Sequence, residues 1–409
     1  MARWRRITRI AGVTAGAAAA GAGMVLAAER MAAGRLRLLP DPEAGEPFGE
    51  LRGRGLTVTA SDGVPLHVEV DGPDDAPVTI VFCHGYALHQ DCWHYQRRDL
   101  AGQARMVFWD QRGHGRSGRG AGRPVTVDQT GDDLAAVLNA AAPGRVILVG
   151  HSMGGMTIMA LAGGHPDLFG SRVAGVVLIA TAAGGLSNAD GLLPGMPSPL
   201  RTFLQRTAPA VLHGVAAGRR AALVERGRLM SREAELLATR FLAFGDPHAS
   251  VALTEFTERM IRQAPVGVIA DFYGALLGCD QSAVLSVLGK VPVAVVAGDR
   301  DRLIPPRLGA ELAAGIPGAR ITMVAGAGHA LMLERPDVVN DAIRGLLAET
   351  QETRRPGKFR WTRRSKGEQA GASGEEAGAS GEKAGAPGEK AGAPEEQTGA
   401  PEESERGVA

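Results

Sequence analysis

Six near-continuous apolar runs recur along the middle of the chain: Val78–Cys83, Met106–Trp109, Val146–Val149, Val173–Ile179, Val291–Ala297 and Ile321–Val324. Each is too short for a core helix and lacks polar alternation, as expected of a strand buried on both faces. Helical patterns lie between them. Val127–Ala141 carries Leu134, Val137 and Leu138 at helical spacing, Ser152–Ala162 follows a run directly, and Pro336–Ala348 follows the last one. Strand and helix in alternation predict an α/β fold with a mostly parallel central sheet flanked by helices. Two shorter runs, Leu56–Thr59 and Leu66–Val70, bracket the turn Ser61-Asp62-Gly63 and predict a leading hairpin.

Between residues 186 and 286 the β runs vanish and Leu, Ala, Arg and Glu dominate, for example over Gly218–Phe244, which predicts a helical cap inserted into the sheet domain. The core is thus read as 51–185 and 287–350. Residues 31–50, with prolines and no periodicity, read as a linker. Residues 1–30 place Arg3, Arg5, Arg6 and Arg9 before an uncharged Ala/Gly-rich run, Ile10–Ala28, the pattern of an export signal or membrane anchor. The domain is then exported or membrane-anchored, and the N-terminal segment is its contact with a membrane. The alternative is an Ala-rich helix lying on a cytoplasmic domain.

Residues 351–409 read as a disordered tail. It begins with a basic stretch in which Arg360 and Arg363 sit among Phe359 and Trp361, read as a solvated linker rather than a lipid- or polyanion-binding patch. Seven-residue repeats follow. They offer only Ala and Gly where a coiled coil needs large seam residues, and Pro387, Pro394 and Pro401 break helices. With 45 Lys and Arg against 44 Asp and Glu, no global field draws nucleic acid. Cys83, Cys92 and Cys279 make no disulfide framework, the odd count leaving at least one thiol unpaired.

Gly150-His151-Ser152-Met153-Gly154 fits G-x-S-x-G, with a strand before it and a helix after it. A sharp strand-to-helix turn lifts a serine oxygen clear of the sheet, and the helix N-terminus favours developing negative charge there. Ser152 becomes a candidate nucleophile in need of a base. His329 supplies one, at the end of the small-residue loop Ala325-Gly326-Ala327-Gly328 after the last run. A carboxylate must orient the imidazole, and the loop Gly298-Asp299-Arg300-Asp301 offers two, Asp301 and Asp299. Gly113-x-Gly115-x-x-Gly118 imitates a dinucleotide fingerprint but opens no helix, since a Gly- and Arg-rich stretch ending in Pro124 follows. Neither a H-E-x-x-H pair, a Cys-x-x-Cys pair nor a phosphate-binding loop occurs, so no metal and no cofactor is expected. Cys83 reads as a small core residue, His89, His94 and His151 as structural or pocket-lining, Trp93 as packing behind the loop after Cys83, and Phe241, Phe244, Phe256, Phe272 and Tyr273 as cap packing.

Over about Leu51–Ala348 the chain resembles the α/β-hydrolase superfamily, serine esterase or lipase-like with a cap. The resemblance rests on Gly150–Gly154, on His84-Gly85 after the third strand, on Asp110-Gln111-Arg112-Gly113-His114-Gly115-Arg116-Ser117, and on the order Ser152, Asp301, His329. It implies Asp301 rather than Asp299 as the acid, and the Tyr86 and Met153 N–H groups as oxyanion donors. Relatives that open epoxides or remove halides carry a carboxylate where Ser152 stands. The implied activity is hydrolysis of a carboxylic ester, or a related acyl bond, of an uncharged or lipid-like small molecule through an acyl-enzyme. A cofactor-free perhydrolase or acyltransferase would use the same three residues. The competing class is a membrane-tethered binding protein that uses the fold as a scaffold.

Overall fold

The runs assemble into one eight-stranded sheet in the order β1-β2-β4-β3-β5-β6-β7-β8. In the computed structural model, which describes residues 29–120, 125–188 and 232–352, the strands are β1 Arg54–Thr59, β2 Pro65–Asp71, β3 Val78–Cys83, β4 Arg105–Trp109, β5 Arg145–His151, β6 Val173–Ile179, β7 Val293–Gly298 and β8 Arg320–Val324. β1 and β2 form the leading hairpin, and β2 meets β4 antiparallel. From β4 to β8 every pairing is parallel.

The inner strands feed two cores. In β3, Val81 and Cys83 pack on one side of the sheet with Leu134, Leu138 and Leu161, while Ile80 and Phe82 pack on the other with Trp93, Phe108 and Leu346. Alternate residues pointing to opposite faces, both apolar, are what the uninterrupted runs encode. Each large side chain so buried contributes roughly 1.5–3 kcal/mol. Trp93 packs 5.2 Å from Phe82, ring to ring, behind the sheet. β8 departs from the expectation: it lies at the edge of the sheet, and its first four residues are exposed, Ile321 at 42% and Met323 at 43%.

Helices α1 Val127–Ala141 and α2 Met153–Gly164 cover the first face, and α1 starts where the Thr126 hydroxyl accepts from Gln129 N at 3.1 Å. Between β6 and β7 lie α3 Arg232–Ala243, α4 Val251–Gln263 and α5 Val266–Leu277. Leu253, Phe256 and Met260 are the large apolar residues that α4 buries, at helical spacing, with Thr254, Thr257 and Glu258 beside them. α6 Pro306–Gly315, not anticipated from the sequence, joins β7 to β8, and α7 Pro336–Glu352 packs on the second face.

The segment read as a linker is attached to the body. Residues 29–37 are helical. Asp41 then caps α4, accepting from the Ser250 hydroxyl and from Ala252 N, both at 2.7 Å. Phe48 stacks on Phe256 at 4.9 Å. The signal or anchor reading of 1–30, most of the segment Gly218–Phe244, and the basic stretch and repeats of the tail fall wholly or largely outside the described residues. Among the described residues no single helix is long and apolar enough to cross a membrane.

Candidate active site

Ser152 stands at the break between β5 and α2 with φ +52° and ψ −117°. A non-glycine residue held there costs about 1–3 kcal/mol. The neighbours that impose it are glycines for want of space: a Cβ on Gly150 would sit 2.6 Å from the Gly154 carbonyl oxygen, and one on Gly154 would run into the Cys83 carbonyl. The turn is tied to β6, since Ser152 N donates to Ile179 O at 2.9 Å and the Thr181 hydroxyl donates to Ser152 O at 2.7 Å.

His329 reaches the same place from the loop after β8. Its Nδ1 lies 2.8 Å from Asp301 Oδ2. A carboxylate only accepts, so Nδ1 carries the proton and Nε2 is left as the basic nitrogen. The other Asp301 oxygen accepts from Leu303 N and Ile304 N, each at 2.8 Å, which fixes the carboxylate before it meets the ring. Asp299 is exposed and accepts instead from Gly326 N at 2.7 Å. Of the two carboxylates the sequence left open, Asp301 touches the imidazole. Ser152 and His329 line one cavity without a direct hydrogen bond between them.

Tyr86 and Met153 follow β3 and β5 respectively, and among the described residues neither backbone N–H is engaged by a protein acceptor. Two buried histidines shape the Tyr86 loop. Gln111 N donates to His84 Nε2 at 2.8 Å, so His84 Nδ1–H donates to Gly85 O at 2.8 Å. Ala87 N donates to His114 Nε2 at 3.2 Å, so His114 Nδ1–H donates to Arg112 O at 3.0 Å. Burial pushes both imidazoles down to about 3, so both are neutral. Asp110 completes the brace, accepting from Gln90 N at 2.8 Å and Arg116 N at 2.9 Å. The turn Asp110–Ser117 therefore supports the loop after β3, a role no local pattern revealed.

His151 is the neighbour of Ser152 on β5. Its Nε2–H donates to the His329 carbonyl at 3.0 Å, and its ring lies 4.8 Å from that of His329. Desolvation, then the nearby His329 ring, holds it well below the usual imidazole range. His89 and His94 lie elsewhere, on Gln263 and Glu46. Cys83 is fully buried and burial pushes its thiol up to about 12, which leaves it no nucleophile. Phe244, Phe256 and Phe272 are buried as packing residues, and Phe241 is exposed under the Arg302 guanidinium. Tyr273 differs from the reading as packing, because it lines the cavity.

That cavity measures about 160 Å³, and Leu88, Leu186, Ile261, Leu276 and Ile304 form much of its wall. No Asp, Glu, Lys or Arg lines it among the described residues. An apolar chamber lined by Ser152, His329 and Tyr86 suits an uncharged ligand with one polarisable carbonyl. Among the described residues no group of three or more His, Cys, Asp or Glu is placed to hold a metal ion.

A family profile described as alpha/beta hydrolase fold matches residues 78–336. The bifunctional esterase/perhydrolase DCH of Acinetobacter calcoaceticus is 28% identical over 291 residues, which cover 69% of this chain and 96% of that protein. The putative carbamate hydrolase RutD of Azorhizobium caulinodans is 27% identical over 288 residues, 70% of this chain and 96% of its own. Among solved structures, a thermophilic esterase from Thermogutta terrifontis matches with a TM-score of 0.56 at 24% identity, covering 72% of this chain and 98% of its own, a likeness of fold. Est816, described as an N-acyl homoserine lactone degrading enzyme, matches with a TM-score of 0.52 at 27% identity, covering 71% and 99%.

Proposed function

The chain belongs to the alpha/beta hydrolase fold family, and on that premise we propose that it is a serine hydrolase cleaving carboxylic esters of uncharged, apolar acids through an acyl-enzyme. The observation that carries the reading is the Asp301–His329 contact at 2.8 Å on the cavity that Ser152 also lines. Ser152 Oγ attacks the acyl carbon while His329 Nε2 takes its proton, and Asp301 stabilises the imidazolium so formed. The Tyr86 and Met153 N–H groups donate to the developing oxyanion; losing one such donor typically costs about a hundredfold or more in rate. His329 returns the proton to the leaving alcohol. Water, deprotonated by the same imidazole, then attacks the acyl-enzyme and releases the acid. The apolar wall supports an uncharged substrate, since a buried charge without a partner is strongly disfavoured.

The relative named as an esterase/perhydrolase favours a second outcome on the same intermediate. Hydrogen peroxide in place of water would attack the acyl-enzyme, giving a peracid and restoring the serine.

The test combines a fluorophosphonate probe with p-nitrophenyl esters of increasing acyl length, with and without peroxide. Wild type should label and turn over, while Ser152→Ala should do neither. Asp301→Ala should lose about 10⁴-fold in kcat, the loss typical when a triad acid is removed, whereas Asp299→Ala should keep most activity. Folded wild type that takes no label would sink the proposal and favour a non-catalytic binding role.

A further inference from the structure

The loop that carries His329 is held at its backbone by three other parts of the chain. His151 holds the His329 carbonyl, Ala330 N donates to Ala243 O at 2.8 Å, and Gly328 N donates to Glu334 Oε2 at 2.7 Å. Glu334 is the unusual member. Its Oε1 also accepts from Gly245 N at 2.9 Å and from Asp246 N at 2.7 Å, in the turn that ends α3. One carboxylate thus gathers amides from the base loop and from the inserted helices, and such charge-assisted bonds are roughly twice as strong as neutral ones.

The opposite side of the same turn is held from the acid loop. Arg302, next to Asp301, donates to Phe241 O at 2.7 Å and to Phe244 O at 3.0 Å, and Arg300 donates to Gly245 O at 3.3 Å. Glycine meets glycine where the strands of chain cross: a Cβ on Gly245 would sit 2.5 Å from the Ala327 carbonyl carbon. Ala243, the last residue of α3, lines the cavity beside His329. The acid loop, the base loop and the end of α3 are therefore tied to one another by hydrogen bonds on both sides of this turn.

We infer that Glu334 is a positioning residue for His329, which it ties to the end of α3 so that the seating of the inserted helices sets the reach of the imidazole toward Ser152. The inference rests on the serine-hydrolase reading above. Gln in its place keeps one acceptor oxygen but turns an NH₂ donor toward backbone N–H groups that are themselves donors, so the loop must shift.

The experiment uses the full chain with Glu334→Gln and Glu334→Asp. Active sites are titrated with the fluorophosphonate so that rates are expressed per labelled serine. Displacement of a reacting group by about an ångström can cost on the order of a hundredfold, so Glu334→Gln should reach full labelling but with kcat and the labelling rate lowered together by about 10- to 100-fold. KM should stay within about threefold, the pattern of a lost transition-state interaction. Glu334→Asp, with the charge kept, should recover part of the rate, and it carries the test alone if the Gln variant does not fold. Rates per labelled serine within about twofold of wild type in the folded variants, whatever their melting temperature, would overturn the inference and leave Glu334 a fold support. Absence of labelling in wild type would instead overturn the serine reading, and this inference with it.

Discussion

His84 and His114 hold the Tyr86 loop only as neutral rings, because each accepts a backbone N–H through Nε2. A proton on either Nε2 would turn that acceptor into a donor facing another donor. Their folded values near 3 lie below the 6.5 of an ordinary histidine, so the unfolded chain binds protons that the folded chain refuses. The contribution is fully present above pH 6.5 and is lost as the pH falls toward 3. At pH 5.5 each ring costs about 1.4 kcal/mol relative to pH 7.5, about 3 kcal/mol together. Urea unfolding at the two pH values measures this together with the same-sign contribution of His151, whose buried ring is also held well below the usual imidazole range. Equal stability at pH 7.5 and 5.5 would mean that these rings are not buried as neutral acceptors.

At the scale of the element, β6 and β8 make the contrast. Leu178 on β6 is fully buried, whereas Ile321 and Met323 on β8 are more than two-fifths exposed. Leu178→Ala should cost about 2–5 kcal/mol, while Ile321→Thr and Met323→Thr should each stay within roughly 0.5 kcal/mol. If the β8 changes cost as much as Leu178→Ala in denaturant unfolding, the strand is covered in solution. The sequence could not separate the two strands, because an apolar run reports a strand and not its place in the sheet. It located Val78–Cys83 and Val173–Ile179 to the residue: Pro77 and His84 flank the first run, and Arg172 marks the start of the second. α6 escaped notice although Pro306 at its first position and the Leu308, Leu312 spacing were legible signals. Ser152 and His329 could be found because a motif or a glycine loop stands beside each. Glu334 could not, because its partner Asp246 is 88 residues away and offers only a backbone amide.

The whole molecule gains a tie that composition hides. Polar, proline-bearing residues 40–47 read as free linker, yet Asp41 satisfies an orphan amide at the start of α4, Glu46 accepts from His94 Nε2 at 2.8 Å, and Tyr95 donates its hydroxyl to Glu43. Phe48 lies between His94 and Phe256, with ring distances of 4.9 Å to each. A chain beginning at Leu51 would leave the buried His94 without its carboxylate, α4 without its second cap and Phe256 without its stacking partner. Lost caps cost about 1 kcal/mol, and an aromatic pair about 0.5–1.5 kcal/mol beyond its buried area. A loss near 3 kcal/mol should lower the melting temperature by roughly 5 °C for a domain of this size. A chain beginning at Leu39 gives up the buried Ala33 and the exposed Arg37–Glu255 ion pair but keeps Asp41, Glu46 and Phe48, so its melting temperature should fall less. α4 also supplies Thr257 and Ile261 to the cavity wall, so the shorter chain should bind its esters less well, with KM rising before the labelling rate of Ser152 falls. Matching melting curves and KM values for the two truncations would show that the segment merely lies on the surface it covers.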